Sequence, residues 1–146
     1  MKISLIKIGR LAYPEYRTMA HLYFSRLSPK HLFELIELKD DSQAFKFLAS
    51  KSSNGSTIWI FDEKGNEYDS IAFSNVMRQL RDNGTTKNLY LIIGHPLGIS
   101  SEIRELSSKS LRLSPLTFTS DLAFLVICEQ LYRAFEIIKG SGYHHA

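Results

Sequence analysis

Leu89-Tyr90-Leu91-Ile92-Ile93 is an uninterrupted apolar run that ends at Gly94. Such a run suits a central strand buried on both faces, as parallel sheets require. Four further segments read as strands: Lys2 to Ile8, Phe33 to Leu38, Thr57 to Phe61 and Leu111 to Leu113. Helical spacing fills the intervals. Pro14 opens a helix bearing Tyr16, Met19, Ala20, Tyr23, Phe24 and Leu27, with Ser28-Pro29 as its stop. Asp40 or Asp41 caps the next, which carries Ala44, Phe45, Phe47 and Leu48. An Asp62 to Asn66 turn leads to a helix with Ile71, Phe73, Val76, Met77 and Leu80. Ser100 caps a short helix, and Ser120-Asp121 caps the longest, Leu122 to Lys139, which Gly140 stops. The alternation predicts one α/β domain over residues 1–146, a mostly parallel sheet with helices on both faces.

A chain of 146 residues, 44% of them hydrophobic, can bury about two thirds of its unfolded surface and needs no disulfide or structural metal. The lone Cys128 cannot form an internal bridge, and no CxxC or Cys/His cluster suggests zinc, so a reducing cytoplasm is expected. Lys7 interrupts the opening apolar run and no small-residue cleavage site follows, so the start reads as a strand and not as an export signal. The longest uncharged apolar run, Leu122 to Cys128, falls far short of the ~20 residues of a membrane span. Net charge is +3, and its distribution is uneven: Met1 to Leu32 holds six basic residues against one acid, Glu15. An N-terminal basic excess suits a phosphate-rich partner or a plain solvated face.

In open parallel sheets, ligands collect beyond the carboxyl ends of the strands. Two loops at such ends stand out. Gly94-His95-Pro96-Leu97-Gly98 reads on its own as a tight turn, since it lacks the spacing of dinucleotide and phosphate-binding loops. Its glycines would also let backbone N–H groups approach a ligand. Pro115 forces Ser114 into an extended conformation, which frees neighbouring backbone groups to pair with a flat heterocycle. Glu129 and Arg133 have the spacing of an ion pair on a helix. Cys128 and Trp59 read as core residues, and His21 and His31 carry no assignable role. The last helix is apolar nearly all round and needs cover on both sides, which predicts a homodimer. Tyr143-His144-His145 is a terminal anomaly; a histidine there can act in proton transfer only if the tail folds back onto a site.

Leu91-Ile92-Ile93-Gly94-His95-Pro96-Leu97-Gly98, Leu111 to Phe118, Cys128 to Ala134 and Tyr143-His144, in this order and spacing, resemble the RlmH family, ribosomal large-subunit pseudouridine N3-methyltransferases of the SPOUT class. The resemblance covers almost the whole chain. It implies a C-terminal trefoil knot, which chain-threading rules would not suggest, together with S-adenosyl-L-methionine as cofactor and a homodimer acting on ribosomal RNA. It carries cofactor contacts to Phe61, Gly94, Leu113, Ser114, Pro115, Leu116, Thr117 and Phe118, places Tyr143 and His144 beside the methyl group as catalytic residues, and requires no metal. Departures from the family pattern are His95 for a glycine, Leu97 for a glutamate, Ser120 for a histidine, Phe124 for an arginine and His145 for a lysine or arginine. The alternatives they leave are the same chemistry on another RNA, or a cofactor- or RNA-binding module without catalysis.

Overall fold

The computed structural model describes residues 1–27 and 32–145, so the Ser28-Pro29 stop signal lies outside the described residues. Ten elements follow in order: β1 (Lys2–Ile8), α1 (Pro14–Leu27), β2 (Leu32–Leu38), α2 (Asp41–Lys51), β3 (Ser56–Glu67), α3 (Ser70–Asp82), β4 (Asn88–Ile93), α4 (Ser101–Leu106), β5 (Lys109–Arg112) and α5 (Ser120–Lys139). The strands form one sheet in the order β2-β1-β4-β3-β5, every pair parallel. The apolar run of β4 thus lies between β1 and β3, and Leu89 to Ile93 are buried as expected.

Strand alternation sorts the interior into two cores. Ile3, Leu5, Trp59, Leu89, Leu91 and Ile93 point to the face covered by α1, α3 and α5. Ile6, Ile8, Ile58, Ile60, Tyr90 and Ile92 point to the face covered by α2 and α4. Helices therefore cover both faces. Side-chain caps fix where they begin: Asp40 accepts from the Gln43 amide at 2.9 Å, and Asp69 accepts from the Ala72 amide at 2.7 Å. At the far end of α5, Gly140 takes the left-handed conformation (φ 74°) that closes a helix.

Strands β2, β3 and β4 each begin one residue earlier than the pattern predicts, and three larger differences bear on the site. Sequence pattern ends β3 at Phe61, whereas the strand continues to Glu67 by pairing again with β5: both Phe61 and Asn66 lie opposite Leu111, with Asp62 to Gly65 bulged between them. A Cβ on Gly65 would lie 2.5 Å from the Leu111 backbone, so only glycine permits this approach. Strand β5 correspondingly covers Lys109–Arg112, which leaves Leu113 to the loop that follows. Finally, Thr119 and not Ser120-Asp121 caps α5, its hydroxyl accepting from the Leu122 amide at 3.3 Å.

Released from capping, Asp121 accepts from the Ala12 amide at 3.0 Å and stands 3.7 Å from Lys7 Nζ. Lys7 is only 1% exposed. Its ammonium also donates to the Ile8 carbonyl at 2.8 Å. Burial lowers its pKa, and Asp121 acts against that shift. Of the six basic residues in the N-terminal third, Lys2 pairs with Glu34 and Arg17 with Glu37, so the local excess there is smaller than the count suggests. Cys128 is buried, and burial pushes its thiol pKa up, in keeping with a small core residue. No helix among the described residues is long and apolar enough to cross a membrane.

Removing Asp121 strands a buried ammonium. Asp121→Asn is expected to destabilise the protein by about 3 kcal/mol, and Lys7→Met to be close to neutral, both read from urea midpoints. Glu37 supplies a second test. Its carboxylate accepts two bonds from Arg17 and one from the Leu11 amide, all at 2.9 Å. The Arg17 bonds, against the opposing effect of burial and with the help of the Leu11 amide, hold its pKa below the ordinary 4.5. That stability is present above pH 4.5 and is lost as pH falls through the lowered folded value, since protonation breaks the pair. The urea midpoint should fall more steeply below pH 4.5 in the wild type than in Glu37→Gln.

Candidate active site

A cleft of about 320 Å³ opens at the carboxyl ends of β3, β4 and β5, where the two unusual loops meet. Residues 94–98 form one wall. Gly98 N–H donates to the His95 carbonyl at 2.7 Å, so this loop is a tight turn and a cleft wall at once. A Cβ on Gly94 would lie 2.5 Å from Ile99 Cγ1 and 3.2 Å from the Gly98 backbone, which explains why β4 must end on glycine. The opposite wall is the loop after β5. Ser114 organises it: its hydroxyl accepts from the Leu116 amide at 3.0 Å and its carbonyl from Arg112 Nε at 3.2 Å. Among the described residues, the backbone of Leu113 to Phe118 takes part in no backbone–backbone bond outside the regular elements, so apart from the Leu116 amide and the Ser114 carbonyl its groups remain available to a ligand.

Of the predicted contact residues, Phe61, Gly94, Leu113, Ser114, Leu116, Thr117 and Phe118 line the cleft, and Pro115 does not. Pro115 sets the bend that presents its neighbours. Tyr143 and His144 are not cleft residues either. They lie along α5, where the Tyr143 hydroxyl donates to Glu129 Oε1 at 3.1 Å and Arg133 Nη1 lies 3.1 Å from His144 Nδ1. Arg133 also pairs with Glu129 at 2.7 Å, as their spacing predicts. Burial, then the bond to Glu129, raises the Tyr143 pKa, so its hydroxyl stays protonated near neutrality. The guanidinium can only donate, so His144 Nδ1 is the acceptor and Nε2 carries the proton of the neutral ring.

A second hollow of about 370 Å³ adjoins the cleft and shares Phe61, Arg112, Leu113, Ser114, Phe118 and Ile127 with it. Among its polar lining residues, Gln130 accepts from Ser70 at 2.8 Å and donates to Glu129 Oε2 at 2.6 Å. Glu129 is thus a shared anchor for the hollow's edge and for Tyr143. Sequence reasoning missed Asp62, Arg104 and Arg112 in the cleft. Asp62 and Arg104 form an ion pair. Burial alone would raise the Asp62 pKa, but Arg104 and the Lys64 amide outweigh it and hold it low. A turn-like composition concealed Asp62, and Arg104 reads as an ordinary surface residue of a short helix. Among the departures, Ser120 lines the cleft, whereas Phe124 is 1% exposed and belongs to the core. No three His, Cys, Asp or Glu side chains among the described residues gather closely enough to hold a metal ion.

The family described as Predicted SPOUT methyltransferase matches residues 1–144. The solved SpoU methyltransferase AviRb from Streptomyces viridochromogenes shares the fold at 12% identity, with a TM-score of 0.53 over 95% of this chain and 61% of that one. The chain belongs to the SPOUT methyltransferase family. Within that class it aligns end to end with proteins named ribosomal RNA large subunit methyltransferase H. One from Syntrophobacter fumaroxidans is 36% identical over 160 aligned positions, and one from Christiangramia forsetii 32% over 157, each match covering 99% of both chains.

The crowding at Gly94 is testable without a ligand. Gly94→Ala is expected to lower stability by about 1–3 kcal/mol, the cost of overpacking. Leu97→Ala in the same loop, with a side chain 93% exposed, should stay within about 0.5 kcal/mol. Urea midpoints of the two variants provide the comparison.

Proposed function

We propose that this chain transfers the methyl group of S-adenosyl-L-methionine to N3 of a pseudouridine in large-subunit ribosomal RNA, acting in the cytoplasm as a homodimer. The observation that carries the reading is the meeting of loops 94–98 and 113–118 across one cleft at the carboxyl end of the sheet. Apolar side chains from Phe61, Leu113, Leu116 and Phe118 offer a slot for a flat base, and the loop's remaining backbone groups, those other than the Leu116 amide and the Ser114 carbonyl, offer hydrogen bonds. A cleft of about 320 Å³ is of the size that takes a nucleoside-sized ligand. The full-length relatives support ribosomal RNA as substrate.

When bound, the cofactor supplies a sulfonium whose methyl is already activated for transfer. The chain's own task is to align an acceptor nitrogen with that methyl and hold both. An imide nitrogen is a weak nucleophile until it gives up its proton. His144 Nε2–H donates to a carbonyl of the base, which polarises the imide and eases loss of its proton to solvent water. Tyr143, kept protonated, orients the base by contact and hydrogen bonding and is not the base catalyst. The base would enter from the second hollow, where Gln130 and Glu129 connect the shared wall to the tail.

Dimerisation is supported by the flank of α5 that the monomer leaves partly uncovered, at Leu122, Leu125 and Val126. Passage of α5 through the loops beside the cleft, as the knotted class has it, is supported by the shared fold. The remaining N-terminal excess, with Arg10 exposed, favours RNA through its long-range field, and such binding falls steeply with salt.

On assembled ribosomes from cells lacking this gene, mass spectrometry of the RNA should show methyl transfer to a pseudouridine by the wild type. Tyr143→Phe combined with His144→Ala should slow it by about 100-fold or more, while S-adenosylhomocysteine still raises the melting temperature. Unchanged turnover would remove both residues from the chemistry. Binding without any turnover by the wild type would indicate a module that has lost catalysis.

A further inference from the structure

Asp62 and Arg104 line the cleft as an ion pair. Arg104 is held at two points: Nε donates to the Ile99 carbonyl at 3.2 Å, and Nη2 donates to Asp62 Oδ2. Its Nη1 has no protein partner among the described residues. Asp62 Oδ1 accepts the Lys64 amide at 2.8 Å. The Arg104 and Asp62 side chains are 39% and 9% exposed, so the cation is open to a ligand and the anion is held beside it with a smaller exposed surface.

The walls of the cleft differ in chemistry. The loop after β5 presents Leu113, Leu116 and Phe118, whereas the bulge of β3 and the helix α4 present the charges. Arg112, the other arginine of the cleft, is turned to the Ser114 carbonyl and to Glu67, which is not a cleft residue. A zwitterionic amino-acid group needs a cation for its carboxylate and an anion for its ammonium within one small space, and charge-assisted bonds to both are strong. Resting on the reading of this cleft as the methyl donor's site, we propose that Arg104 and Asp62 recognise the donor's amino-acid end, Arg104 binding the α-carboxylate and Asp62 the α-ammonium. The donor's base then lies against the apolar loop. The bulge in β3 gains a purpose from this: it brings Asp62 to the cleft wall.

Calorimetry with two ligands tests the assignment: S-adenosylhomocysteine, which carries the amino-acid end, and 5′-methylthioadenosine, which lacks it. Arg104→Ala is expected to weaken S-adenosylhomocysteine about tenfold or more and to leave 5′-methylthioadenosine within about twofold. Arg104→Lys should restore part of the loss. Asp62→Asn, which keeps the side-chain shape and the bond from the Lys64 amide, should show the same selectivity. Equal weakening of both ligands would reduce the pair to a brace between β3 and α4 and overturn the proposal. Unchanged S-adenosylhomocysteine affinity would place the amino-acid end elsewhere. A wild type that binds neither ligand would overturn the cofactor reading itself, an outcome distinct from the other two.

Discussion

Strand β4 has hydrogen-bonded neighbours along both edges and a helical layer over each face, so its carboxyl end is where the centre of the sheet reaches solvent. The chain must turn there without leaving the packed interior. Gly94 makes this feasible by omitting the atom that would strike Ile99. Because every strand pair is parallel, β3 and β5 release their loops at the same end, and the cleft is the space those loops cannot fill. The position of the site thus follows from sheet direction before any side-chain chemistry is considered.

Much of this was legible in the sequence because the signals were local. The apolar run of β4, the proline that begins α1 and the glycine that ends α5 each act on the residues beside them. What escaped notice depended on partners far along the chain. Asp62 to Asn66 has the composition of a turn and becomes strand only because β5 supplies a second pairing register. Lys7 looks like the solvent-facing member of an alternating strand, yet it is buried because Asp121, near the other end of the chain, accepts its charge. Such tertiary override is the usual reason that local propensity fails. The two loops were legible as odd, while the charged wall opposite them was not, since the Asp62–Arg104 pair joins two short segments of no particular pattern.

Helix α5 serves several purposes along its length. Its first turn borders the cleft with Ser120 and Ala123 and receives Lys7 through Asp121. Its middle packs Ile127, Cys128 and Leu131 into the core and sets Glu129 against Gln130, a lining residue of the second hollow. One carboxylate there accepts bonds from Arg133, Gln130 and Tyr143, so the tail is placed by the same side chain that shapes the hollow's edge.

The left-handed cap at Gly140 gives the tail a short leash. A helix advances about 1.5 Å per residue, so Ala123 lies roughly 26 Å behind the cap. Three or four extended residues span at most about 14 Å, to which a side chain adds only a little. Within a single subunit, Tyr143 and His144 reach the flank around Glu129 and Arg133, but the opening turn of α5 is beyond their radius. Lengthening the segment between Gly140 and Tyr143 would extend that radius without touching either pocket.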